Sequence, residues 1–138
     1  MKFTREAKAN WNGNVKDGSG NLTTDSKVLE NTPYSFSTRF EDAKGTNPEE
    51  LIAAAHAGCF TMQLSALLTE ADYKPTNLDT VAKLDFEDKN VKKIHLNVTG
   101  SAEGIDEDTF VELAQKAKKV CPISKLLNTE IELTTNFG

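Results

Sequence analysis

Thr46-Asn47-Pro48-Glu49-Glu50-Leu51-Ile52-Ala53-Ala54-Ala55-His56-Ala57-Gly58-Cys59-Phe60 opens the segment on which the fold turns. Thr46 or Asn47 can cap a helix, and Pro48 suits its first position. Glu49 and Glu50 complement the positive end of the helix dipole. From Pro48 to about Tyr73 there is no further proline and a single glycine, so the pattern predicts one long helix ended by Lys74-Pro75. Its apolar residues include Leu51, Ile52, Ala55, Cys59, Met62, Leu64, Ala66, Leu67 and Leu68, and they fall on nearly every side. A helix of that kind is buried over most of its surface.

Upstream, residues 2–12 alternate weakly and carry Phe3, Ala7, Ala9 and Trp11, which suggests a strand. Turn-rich Asn12-Gly13-Asn14 and Lys16-Asp17-Gly18-Ser19-Gly20 follow, and Asn21–Thr24 reads as a second short strand. Further apolar patches surround Pro33, and the loop Glu41–Gly45 precedes the helix. Downstream, Leu78–Phe86 and Val91–Val98 read as a hairpin turning at Glu87-Asp88-Lys89-Asn90. In its second strand Ile94, Leu96 and Val98 share one face, with His95 and Asn97 on the solvent face. Ile105-Asp106-Glu107-Asp108 starts a second amphipathic helix with core positions Phe110, Leu113, Ala114, Ala117 and Val120. Pro122 breaks it, a short helical turn holds Ile123–Leu127, and Glu130–Leu133 closes as a strand. The fold class is α+β, in one domain spanning residues 1–138.

Composition narrows the function. A net charge of -5 provides no basic face for phosphates, which argues against nucleic acid as a partner. No run approaches the roughly 18 apolar residues of a membrane span, and Met1–Glu6 lacks the apolar stretch of a signal peptide. A cytoplasmic location is the expectation, where free thiols stay reduced. The chain has two cysteines, and of its 16 basic residues only Arg5 and Arg39 are arginine. Where lysine supplies ordinary surface charge, an arginine can mark a need for its planar fork.

The thiols are therefore the informative residues. Cys59 lies more than two turns into the long helix, beyond the reach of the dipole, so a reactive thiolate there needs another cation. A guanidinium about 4 Å away contributes on the order of 4 kcal/mol at an effective dielectric of about 20, and Arg39 in Ser37-Thr38-Arg39-Phe40 is the natural candidate. Cys121 precedes Pro122 at a cap-like joint, where the next turn's free N–H groups can lower its pKa. Against this stand two rival readings. Both cysteines can be small buried hydrophobes, or His56, Cys59, Cys121 and His95 can ligate zinc, although no Cys-x-x-Cys pair supports that.

The segment Gly45–Phe60 and the motif Val120-Cys121-Pro122-Ile123-Ser124 resemble the signatures of the OsmC/Ohr proteins. These are the osmotically inducible and organic hydroperoxide resistance proteins. Trp11-Asn12-Gly13, Pro33-Tyr34-Ser35-Phe36 and Thr38-Arg39-Phe40 also resemble the OsmC branch, so the likeness spans nearly the whole chain. The first hairpin carries Lys16 and Asp17 but no arginine, which favours that branch over the organic hydroperoxide one. Gly58 stands where alanine is more usual.

The resemblance implies antiparallel sheets wrapped around long central helices in an intertwined homodimer. It implies a cysteine-based peroxidase acting on organic hydroperoxides, with hydrogen peroxide as a further substrate and a dithiol, such as a lipoyl-bearing protein, as reductant. Cys59 falls on the peroxidatic position, Cys121 on the resolving one, and Arg39 and Glu49 on the family's arginine and glutamate. The expected role of Glu49 is to hold Arg39 by a bidentate contact. No metal or cofactor is implied. Phe36, Phe40, Phe60 and Met62 are candidates for an apolar wall against a bulky hydroperoxide. A non-catalytic thiol sensor or binding protein on the same fold is the alternative. Glu49 and Cys59 are ten residues apart, so a straight helix separates them by about 15 Å and turns them roughly 80° apart. Either the helix breaks near its start, or Glu49 and Arg39 reach Cys59 from the other subunit. Ala53, Ala54, Ala57 and Gly58 would let a partner helix approach closely.

Overall fold

Three short strands open the chain in a computed structural model covering residues 1–138: β1 (Ala7–Asn12), β2 (Ser19–Thr24) and β3 (Thr32–Tyr34). They pair antiparallel in the order β1-β2-β3. Gly20 on the central strand lies opposite both Trp11 and Tyr34, whose rings stand 5.3 Å apart. A Cβ on Gly20 would come within 2.7 Å of the Trp11 ring and 2.8 Å of the Tyr34 ring, so the aromatic pair requires glycine there. The helix α1 (Phe36–Phe40) follows. Ser35 and Thr38 form a capping box that starts it, a signal present in the sequence but unread there.

The long helix is present as α2, Pro48–Glu70. Asn47 Oδ1 accepts the Glu50 N–H at 2.8 Å, so Asn47 is the cap. The helix ends at Glu70, short of Tyr73, because the chain reverses at Asp72, whose φ is 65°. The Tyr73 N–H reaches the Leu68 carbonyl at 2.9 Å and the Asp72 N–H that of Thr69 at 3.0 Å, closing the last turn. Lys74 and Pro75 then belong to the next strand and do not terminate the helix.

The chain divides into two compact units, Met1–Leu51 and Ile52–Gly138, and α2 runs through the boundary. In the second unit β4 (Lys74–Glu87) and β5 (Asn90–Glu103) form a hairpin longer than expected at both ends. Asp88 and Lys89, with φ of 51° and 65°, make its two-residue turn. The chain continues through α3 (Glu107–Val120) and α4 (Pro122–Leu126) to β6 (Glu130–Phe137). The expectation of purely antiparallel sheets fails here: β6 runs parallel to β5. The two helices form the crossover that parallel neighbours need, returning the chain to start β6 at the same end as β5.

Ile94, Leu96, Val98 and Ala102 face inward from β5, and Phe110, Ala114 and Ala117 from α3. Phe60, Leu64, Leu67 and Leu68 of α2 complete this core. By length and average composition α2 would suffice to cross a bilayer, although no uninterrupted apolar run announces it. Phe60, Leu64, Leu67 and Leu68 are committed to the core, but the helix is not buried over most of its surface as expected, since Ala54, Ala55, Gly58, Met62 and Ala66 are exposed. Val120, expected inside, is partly exposed at the end of α3. His95 is half-buried, with Nε2 2.8 Å from Thr134 Oγ1 on β6, because the parallel neighbour covers part of that face.

Candidate active site

Two of the expected pairs form, each inside one unit. In the second unit Cys59 occupies the middle of α2, and Cys121 is at once the C-cap of α3 and the N-cap of α4. The Cys121 N–H donates to the Ala117 carbonyl at 3.0 Å, and its own carbonyl accepts the Lys125 N–H at 3.1 Å. With Pro122 at the first helical position, the backbone bends at Cys121 and its side chain turns toward α2. The two sulfurs are 2.9 Å apart. Both cysteines are free; Cys121 is fully buried and Cys59 half-buried.

Burial pushes the Cys59 thiol above its usual range, and the contact with Cys121 adds to the rise. The Ile123 backbone N–H acts in the opposite direction, but it is outweighed. Cys121, although it stands at the N-cap of α4, makes no side-chain cap there. One turn from each cysteine lies a second contact that the sequence did not announce. His56 Nε2 is 2.7 Å from Ser124 Oγ, with both residues buried. Burial lowers the His56 pKa and keeps the ring neutral. No group of three or more His, Cys, Asp or Glu side chains comes together as a metal site would require.

In the first unit, Arg39 lies in the last turn of α1 and Glu49 in the first turn of α2. Arg39 Nε donates to Glu49 Oε1 at 2.7 Å, and Nη2 approaches the same oxygen at 2.5 Å. The expected bidentate contact across both carboxylate oxygens is not made, because the fork converges on Oε1. Glu49 Oε2 is left buried without a hydrogen-bond partner. Asn47 sets the spacing. Its Nδ2 donates to the Thr38 carbonyl at 3.1 Å while its Oδ1 caps α2, so one side chain ties the two helix ends together. Only its capping half was legible in the sequence.

A cavity of about 220 Å³ lies beside Arg39, lined by Trp11, Val15, Tyr34, Phe36 and Phe40 among others. Phe36 and Phe40, two of the four residues expected to form an apolar wall, line it with their rings 5.0 Å apart. Phe60 is not available for one: it has no exposed surface and packs in the core of the second unit. Its spacing with His56, Leu64 and Leu67 puts it on the inward stripe of α2. Met62, about 200° further round, is 77% exposed. Trp11 and Tyr34 were missed because sheet pairing, not sequence proximity, brings them to the cavity, and Val15 joins them from the turn between β1 and β2.

Residues 41–136 match the family model for OsmC-like proteins. The chain is 46% identical over 137 residues to the peroxiredoxin OsmC of Escherichia coli, covering 96% of each chain. It is 32% identical over 93 residues to the organic hydroperoxide resistance protein OhrA of Bacillus subtilis, covering 66% of each. A crystal structure of an organic hydroperoxide resistance protein OsmC from Legionella pneumophila superposes with a TM-score of 0.70 at 19% identity, covering 100% of this chain and 98% of that one.

Proposed function

We propose that this chain, which belongs to the OsmC family, reduces organic hydroperoxides to alcohols with Cys59 as the attacking thiol and Cys121 as the resolving one. It is a peroxidase by family and by its named relatives. The contact between the only two cysteines, 62 residues apart in sequence and 2.9 Å apart in space, carries this reading.

The Cys59 thiolate attacks the distal peroxide oxygen. The O–O bond breaks, Cys59 becomes a sulfenic acid, and the alkoxide leaves as the alcohol after taking a proton. The Cys121 sulfur then displaces the hydroxyl, forming the S–S bond and releasing water. An external dithiol, such as a lipoyl group on a carrier protein, restores both thiols by exchange. Hydrogen peroxide is a second acceptor with no apolar part to bind. Phe36 and Phe40, with their cavity neighbours, hold the apolar part of an organic substrate. The reading sets the enzyme in the cytoplasm, where reductants keep both thiols ready. It treats residues 1–138 as one functional domain, supported by a family match that crosses the boundary between the units.

Cys59 in this chain has a raised pKa, so the mechanism needs a cation to produce the thiolate. We assign that role to Arg39, oriented by Glu49. Because α2 is unbroken from Pro48 to Glu70, Glu49 and Cys59 are about 15 Å apart along it. The pair serving a given Cys59 is therefore taken from the other subunit of a homodimer. An exposed stripe of α2 supports this assembly: Ala54, Ala55, Gly58, Met62 and Ala66 are exposed, and a Cβ on Gly58 would meet nothing within 4 Å.

With excess dithiothreitol, wild type should consume many equivalents of cumene hydroperoxide and Cys59→Ser none, while Cys121→Ser stalls as a sulfenic acid. Normal turnover by Cys121→Ser would remove its resolving role. Co-refolding inactive Cys59→Ser with inactive Arg39→Ala subunits should restore up to one site per heterodimer. No recovery in heterodimers confirmed by mass would place all four residues in one chain.

A further inference from the structure

We propose that the buried His56–Ser124 hydrogen bond is a positioning device that holds α4 against α2, so that Cys121 reaches oxidised Cys59 before a second peroxide does. The inference rests on the assignment of Cys59 and Cys121 above. His56 precedes Cys59 by one turn of α2, and Ser124 follows Cys121 by one turn of α4. The two helices thus meet at two adjacent points along an antiparallel seam: a thiol pair with sulfurs 2.9 Å apart, and a polar pair 2.7 Å apart.

The second point differs from the first in being independent of redox state. Oxidation of Cys59 removes the S–H···S contact at the moment when Cys121 must stay in place. The His56–Ser124 bond involves no sulfur and persists. α4 cannot hold itself, since five residues do not sustain an isolated helix. Its link to α3 is a single non-helical residue, Cys121, with ψ of 124°. His56 has no exposed surface and Ser124 retains 9%. Apolar side chains would fill that space without the cost of burying polar groups, whereas a hydrogen bond adds a fixed register that apolar contacts lack. His56 Nδ1 has no partner, so the favoured neutral tautomer carries its proton on Nε2, which donates to Ser124 Oγ.

The test is single-turnover oxidation of the full chain by cumene hydroperoxide, following sulfenic acid formation, disulfide closure and sulfinic acid yield by intact mass. Ser124→Ala should form the sulfenic acid at the wild-type rate, close the disulfide on the order of tenfold more slowly, and accumulate sulfinic acid under excess peroxide. Ser124→Thr, which keeps the hydroxyl, should close like wild type. Adding His56→Leu to Ser124→Ala should slow closure no further, because both substitutions remove one bond. Phe110→Leu, a core change away from the thiols, should lower the melting temperature without slowing closure. The proposal is overturned if Ser124→Ala closes at the wild-type rate, if a folded Ser124→Thr is as slow as Ser124→Ala, or if the two losses add. It is also overturned if Phe110→Leu slows closure in proportion to its lost stability. A wild-type chain that formed no Cys59–Cys121 disulfide at all would overturn the thiol assignment as well.

Discussion

The thiol pair and the ion pair are built in opposite ways. Cys59 and Cys121 are separated by 62 residues and meet because α2, α3, α4 and β5 close one core around them. Arg39 and Glu49 are ten residues apart and meet through local devices, the Ser35–Thr38 capping box and the Asn47 tether. Cys121 has no exposed surface, whereas the Arg39 side chain is 38% exposed. A long-range contact between two small groups needs a core to fix it. A charged group that must act on something else can be set locally and left at the surface, where its desolvation is postponed until the partner arrives. The apolar side chains divide in the same way: Phe60 serves the core, while Phe36 and Phe40 line an open cavity.

The sharpest way to break this comparison is to remove the surface cation and ask whether the buried thiol notices. Arg39→Ala should lower peroxidase activity by about a hundredfold or more, the scale for losing a preorganised electrostatic group. Arg39→Lys should fall well below wild type because the fork is lost while the charge stays. The pH profile carries the sign. Burial favours the neutral Cys59 thiol, so without Arg39 its alkylation should rise only above the usual thiol range near 8.5. With Arg39 in place the rise should come at lower pH. Identical profiles for wild type and Arg39→Ala would remove Arg39 from the mechanism.

Truncating one phenylalanine of each kind sharpens the division between core and cavity. Phe60→Ala should cost about 3–5 kcal/mol of stability, measured by denaturant unfolding, because a fully enclosed ring leaves a void. Phe40→Ala should cost much less, since its side chain is substantially exposed. It should instead raise the KM for cumene hydroperoxide while leaving that for hydrogen peroxide unchanged. Equal stability losses would erase the distinction. The smallest effect is expected at the tether. Asn47→Ala should lose about 1 kcal/mol with its cap and lower activity by misplacing Glu49 relative to Arg39, and stability without activity loss would leave Asn47 a cap alone.

The long helix was legible because its signals are local and mutually consistent: Asn47 caps it, Pro48 starts it, and no breaker follows until the chain reverses. Its end was misjudged because Asp72 takes the left-handed conformation usually given to glycine, whereas Pro75 is a strand residue. Hairpin lengths were underestimated because the outer residues of β4 and β5 are specified by pairing across strands and carry little alternation of their own. The cysteines stood out by scarcity, and the roles proposed for them come from their motif resemblance.

Local propensity and motif chemistry thus determined the α+β class, the central helix, the two thiols and the arginine–glutamate pair. Tertiary structure alone decided the parallel pairing of β5 with β6, the core assignment of Phe60, and the convergence of Glu49 Oε1 with two Arg39 nitrogens. It also decided the His56–Ser124 bond. The physical reason is common to all of these. A hydrogen bond or a buried contact depends on which atoms a closed core brings within a few ångströms, and residues 68 positions apart such as His56 and Ser124 carry no mark of that encounter until the chain has folded around it.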